Sequence, residues 1–168
     1  HEYYLGQDIA GMGRDTSVWS ILDGTKKESI FQVENIAQKL MRTPERVALT
    51  LKLDAQYDFN RIGVDDGGIG QGDFDYLLKD DRTRRKVIAL NNSSRDVDKD
   101  GKKQKRLLKE DMYNNLLVLM EMRHIRLLKD DDIYHSLRSV QFETTGGKTR
   151  YFGTDTHIAE SLIRAAWC

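Results

Sequence analysis

The stretch RIGVDDGGIGQGDFDYLL, Arg61 to Leu78, decides how this chain is read. It opens on a short apolar run, Arg61–Val64, breaks on two adjacent aspartates, and crosses four glycines in six residues before apolar periodicity resumes. A short apolar run bounded by turn residues reads as a buried strand, and the pattern over Gly72–Leu78 reads as a short helix. Asp65 and Asp66 therefore stand at the end of a strand. A carboxylate held at a buried sheet end is costly unless it is paired or meets a metal ion. The glycines that follow leave room for close approach of another backbone or a ligand.

The same logic extends in both directions. Tyr3–Ile9 and Ser17–Leu22 read as strands, with Gly11, Gly13 and Asp23-Gly24 as turns, and Lys27–Val33 as a third strand of an antiparallel meander. Thr43 is placed to cap a helix that has Pro44 at its first position and runs to Tyr57. Lys86–Leu90 is a further strand, and residues 92–110 include a charged, solvated loop or hairpin. Leu107–Met122 is an amphipathic helix, Ile125–Leu128 a strand and Asp131–Leu137 a short helix. Val140–Glu143 and Arg150–Phe152 make a hairpin around Gly146-Gly147, and TDTHIAESLIRAAW closes the chain as a helix. The expected fold class is α/β, a mixed central sheet flanked by helices.

Composition narrows the function. The chain has 168 residues, enough for one domain with a real core. Its 27 basic and 27 acidic residues cancel, so affinity for nucleic acid must come from a local patch. The single cysteine, Cys168, permits no disulfide framework within one chain. No apolar run reaches the roughly 18 residues of a membrane span. The start, HEYYLGQD, has no signal-peptide plan and enters a strand at once, as expected of a piece of a longer chain.

Three motifs fail on spacing. TGGKT ends like a phosphate-binding loop, but the required first glycine is Phe142. DVDKDG matches the first half of a calcium loop through Asp96, Asp98, Asp100 and Gly101, but its twelfth position is Leu107 rather than a bidentate glutamate. GGIGQG lacks the third glycine of a dinucleotide fingerprint, which falls at Asp73. Four histidines with no other soft ligands make no closed zinc site.

The remaining constellation is acidic. Asp8 follows the first strand as Asp65 follows the fourth. Hard divalent cations take oxygen ligands, and two such ions can clamp the attacking and leaving oxygens of a phosphodiester. That chemistry needs carboxylates brought together from strands far apart in sequence. Each aspartate alone is as well explained by an ordinary turn.

GQDIAGMGRDTSVWSIL resembles the opening strand and turn of the nuclease domain of viral terminase large subunits, the DNA-packaging motors of tailed phages and related viruses. IGVDDGGIGQGDFDYL resembles that family's second acidic motif, LKEDMYNNLLVLMEMRHIRLLKDDDIYHSL its following helix-strand-helix, and THIAESLIRAAW its last helix. The resemblance implies a ribonuclease-H-like fold over residues 1–168, as the C-terminal nuclease part of a longer packaging protein whose ATPase domain is absent from this sequence. It implies an endonuclease that cuts double-stranded DNA during genome packaging, using two magnesium or manganese ions. The implied partners are the ATPase domain of the full-length chain, the portal and the small terminase subunit, in the host cytoplasm and with no membrane. Asp8 matches the first acid and Asp65 the second. The family's third aspartate falls here at His157, a departure that leaves His157 or Asp155 as the third ligand. A His-x-x-acid pair, here His157 and Glu160, is similar to that of junction resolvases of the same fold. Asp15, Asp66 and Glu160 are candidates for polar support around the ligands, although ordering the turn is the better account of Asp15. Arg14, Lys102, Lys103, Lys105 and Arg106 are the candidate DNA contacts, through phosphates; Arg82, Arg84, Arg85 and Lys86 form a second basic cluster. The rival expectations are a junction resolvase or transposase-type nuclease, a non-catalytic DNA-binding module of the motor, and a calcium-binding domain built on DVDKDG.

Overall fold

The computed structural model describes residues 1–11, 16–93 and 107–168. Arg14, Asp15, the DVDKDG motif and the basic residues 102–106 lie outside the described residues.

Six strands form the central sheet: β1 (Tyr3–Asp8), β2 (Thr16–Asp23), β3 (Ile30–Lys39), β4 (Arg61–Val64), β5 (Val87–Ala89) and β6 (Ile125–Arg126), in spatial order β5-β4-β1-β2-β3-β6. The meander β1-β2-β3 is antiparallel, whereas β4 joins β1, β5 joins β4 and β6 joins β3 in parallel. The sheet is therefore mixed, as the sequence pattern predicts. Among the described residues five helices accompany it: α1 (Thr43–Tyr57), α2 (Gly70–Lys79), α3 (Leu108–Glu121), α4 (Asp131–Ser139) and α5 (His157–Trp167). Strands β7 (Gln141–Thr145) and β8 (Lys148–Phe152) form a separate exposed hairpin.

β2 shows how the sheet acquires two buried faces. Its side chains alternate, so Val18 and Leu22 join the core of α3, α4 and α5, while Trp19 and Ile21 join the core of α1 and α2. Leu53, Phe59, Ile62, Val64 and Leu77 complete the second core; Met112, Leu116, Ile133, Ile158 and Leu162 fill the first. Helices thus cover both faces of the sheet, a three-layer arrangement.

Several boundaries differ from expectation, among them β6, which ends at Arg126 rather than Leu128. β3 extends to Lys39, well past Val33, because its later residues need satisfy only one neighbouring strand: β6 pairs with Ile30 and Phe31 alone, so Glu34, Asn35 and Gln38 are tolerated along that edge. The cap of α1 is Arg42, not Thr43; the Glu45 carboxylate accepts from the Arg42 N–H at 2.7 Å, and the Thr43 hydroxyl accepts from Arg46 instead. α2 starts at Gly70, inside the glycine run, rather than at Gly72. Among the described residues, no helix is long and apolar enough to cross a membrane.

Candidate active site

The register of β1 against β4 brings the two acids together. Gly6 pairs with Gly63 and Gln7 with Val64, so one residue further along these parallel strands Asp8 and Asp65 stand side by side. By strand alternation both carboxylates share the face of Gly6 and Gly63. That face is covered by α5, and the glycines are what let it approach: a Cβ on Gly6 would lie 2.0 Å from the Ser161 carbonyl oxygen and 2.4 Å from the Ala165 nitrogen. The helix therefore lies close against β1 and delivers its polar residues to the strand ends.

Those residues are His157, Glu160 and Arg164, at helical spacings of three and four on one face. His157 opens α5 and sets its Nδ1 2.9 Å from Asp8 Oδ2. Arg164 is fully buried and sits within the acids. Its Nη2 donates to Asp65 Oδ2 and to Asn92 Oδ1, each at 2.8 Å, and its Nη1 lies 3.5 Å from both Asp8 Oδ1 and Glu160 Oε2. Glu160 is buried and receives Tyr113 Oη at 3.0 Å, Lys109 Nζ at 2.9 Å and Asn92 Nδ2 at 3.3 Å. Burial pushes the Tyr113 hydroxyl pKa up, with the Glu160 charge adding to it, so it acts as a neutral donor.

Asp65 is held by its own turn. Its Oδ1 accepts from the Gly67 N–H at 2.9 Å, and a Cβ on Gly70 would strike the Asp65 carbonyl oxygen at 1.8 Å. Gly70 thus serves the tight return of the chain into α2. Burial raises the Asp65 pKa above the usual carboxylate value; Arg164 and the Gly67 N–H oppose this, while Asp8 and Glu160 add to it. Asp66 is half-buried, and its Oδ1 has no hydrogen-bond partner among the described residues.

Asp155 goes elsewhere. Its carboxylate lies 3.2 Å from His135 Nε2 and is 58% exposed. It lines, with His135, His157, Thr16 and Lys39, a cleft beside the acid pair. The cluster at 82–86 is largely engaged with acids: Arg82 with Asp80, Arg84 with Asp81, and Lys86 with both Asp54 and Asp58. Arg164, Lys109, Tyr113 and Asn92 contact the candidate acids and were not singled out from the sequence. Arg164 left a signal, a basic residue seven positions after His157 and four after Glu160, inside the apolar run Leu162–Ala166. The other three are identified by contact alone.

Among the described residues, no three His, Cys, Asp or Glu side chains are grouped so as to hold one metal ion. The donors that do meet are two adjacent carboxylates, oxygen ligands of the kind that binds hard divalent cations, with the imidazole of His157, a donor better suited to softer metals, beside them. The charge balance agrees. Asp8, Asp65 and Glu160 face two side-chain cations, Arg164 and Lys109, which leaves one negative charge.

A mixed sheet of this order, with acids on neighbouring ends of β1 and β4 beneath a final helix, is a ribonuclease-H-like fold. Within that class, the structure is similar to nuclease domains of phage large terminases. The large terminase nuclease of thermophilic phage G20c, with bound magnesium, superposes with a TM-score of 0.77 at 23% identity, over 99% of this chain and 81% of that one. The nuclease domain of the large terminase of Thermus phage P74-26 gives 0.71 at 23% identity, over 98% and 78%. That of the large terminase subunit of bacterial virus Sf6 gives 0.73 at 14% identity, over 100% and 89%. No protein-family model matches the sequence, and no curated protein is significantly similar to it.

Proposed function

We propose that this chain is a divalent-cation-dependent endonuclease domain that cuts double-stranded DNA during viral genome packaging, as the C-terminal nuclease part of a longer packaging protein. The observation that carries the reading is the register-matched pair Asp8 and Asp65 under His157, on a fold similar to that of terminase nucleases, one of them described with bound magnesium.

Asp8, Asp65 and His157 would hold magnesium or manganese. Bound divalent cations of this kind make water nucleophilic near neutral pH and neutralise charge on a leaving 3′ oxygen. The chain's own residues set the stage for that chemistry. The Gly67 N–H and Arg164 fix the Asp65 carboxylate from two directions, and His157 and Arg164 fix Asp8 in the same way. Glu160 is occupied by Lys109, Tyr113 and Asn92, so it anchors Arg164 rather than binding a cation directly. Thr16, Lys39 and His135, along the cleft beside His157, offer donors to the phosphates of a bound strand. Asp155 belongs to that cleft wall, which leaves His157, already in contact with Asp8, to complete the ligand set when a bound ion draws these side chains together.

The direct test is conversion of supercoiled plasmid to nicked and linear forms, with magnesium, manganese, calcium or chelator. The reading requires cutting with magnesium or manganese that chelator abolishes. A non-catalytic DNA-binding module is the second reading, favoured by the guanidinium of Arg164 lying in the acid cluster; DNA binding without cutting under any of these metals would establish it.

A further inference from the structure

We propose that Arg164 is a built-in cation of the site: its guanidinium, set between Asp8, Asp65 and Glu160, fills one of the two cation positions expected of such nucleases, so that this chain takes a single divalent ion. The inference rests on the nuclease reading above and specifies its metal requirement.

Every edge of the guanidinium is committed. Nε donates to the Leu90 carbonyl at 3.2 Å, Nη1 to the Glu160 carbonyl at 2.8 Å, and Nη2 to Asp65 and Asn92. The group cannot swing away without leaving several buried acceptors unpaired. It also keeps its charge at every accessible pH. A permanent, immobile positive charge that reaches both aspartates performs the electrostatic work of a cation held between them.

The position has no packing explanation. Arg164 is fully buried in a helix whose neighbours Leu162, Ile163 and Ala165 are core residues, and a buried charge is expensive to place there. Its location is accounted for by the three carboxylates around it. With Lys109 engaged by Glu160 and the cluster left one charge negative, one divalent ion reverses the sign of the local charge. A second ion would bring further positive charge against a guanidinium that cannot leave.

The experiment is a manganese titration of the 168-residue chain, followed by the loss of the free-ion electron paramagnetic resonance signal. Folding is checked by circular dichroism, on the parent, Arg164→Lys and Arg164→Met. The parent and Arg164→Lys are expected to bind one ion per chain, and Arg164→Met two, with first-site affinity at least ten-fold tighter. Two ions on the parent, seen also as a spin-coupled spectrum, would overturn the assignment whether or not Arg164→Met folds, and would leave the nuclease reading intact. A folded Arg164→Met that still binds one ion would reduce Arg164 to a positioning residue and overturn it too. No manganese on any of the three would overturn the nuclease reading and this inference together.

Discussion

His157 Nδ1 lies 2.9 Å from Asp8 Oδ2, although 149 residues separate them, and this contact joins the last helix to the first strand at the candidate site. It also separates the two candidates for third ligand, because Asp155 turns to His135. Replacing His157 with alanine is expected to lower metal-supported DNA cutting about 10–100-fold, the usual cost of losing a group that ligates or orients a ligand. His157→Asp should restore much of it, and Asp155→Asn should change it less than about three-fold. Initial rates of plasmid nicking for the three variants decide the matter; a greater loss in Asp155→Asn than in His157→Ala reverses the assignment.

Asp65 gives a pH signature. Its pKa in the folded chain is raised above the ordinary 3.8, chiefly by burial. The folded state thus holds the proton more tightly than the unfolded one. The stability this contributes is complete below the ordinary value and is lost as pH rises through the raised one. Asp65→Asn cannot ionise and escapes that loss. In chelator, its melting temperature relative to the parent should improve as pH climbs from 3.5 to 7. Manganese should stabilise the parent at pH 7 and do little for the variant. A difference between the two that does not vary with pH contradicts the argument.

Gly6 sets the distance between β1 and α5. An alanine there drives Cβ into the Ser161 carbonyl and the Ala165 nitrogen, both backbone atoms. Gly6→Ala should cost about 1–3 kcal/mol or more, as for overpacked cores. Urea unfolding would show it as a lower midpoint at similar slope. Cutting should fall as well, since Asp8 and His157 depend on the same contact.

Arg46 and Asp73 form a second buried ion pair, at 2.6 Å, which ties α1 to α2 just beyond the Asp65 turn. Arg46 also donates to the Met41 carbonyl and the Thr43 hydroxyl. Breaking it from one side, as in Arg46→Met, should cost about 3–5 kcal/mol because it strands a buried carboxylate. The double variant Arg46→Met, Asp73→Leu should recover part of that loss in chemical denaturation. Equal losses in single and double variants would mean that packing, not charge, is at stake.

Much of this arrangement can be read in the sequence because strands repeat every two residues. Gly6 with Asp8, and Gly63 with Asp65, announce a face that is small in the sheet and acidic at its end. Helix periodicity likewise locates α1, α3 and α5. What escapes is pairwise. Lys109, Tyr113 and Asn92 reach Glu160 from distant segments, and their spacing carries no trace of that meeting. The later part of β3 escapes because an edge strand can be polar. The basic residues at 82–86 read as a patch, but Asp54, Asp58, Asp80 and Asp81 engage three of them. Arg164 is a basic residue within the apolar run Leu162–Ala166, and its role follows only from the carboxylates around it.

The most direct measurement is an anomalous difference map from crystals of this chain soaked in manganese. A peak within coordination distance of both Asp8 and Asp65, absent from Asp8→Asn crystals, is the predicted result. Manganese found elsewhere on the surface, or nowhere, with the two carboxylates still held by Arg164, His157 and the Gly67 N–H, would contradict the claim that this acid pair is a metal-dependent nuclease site.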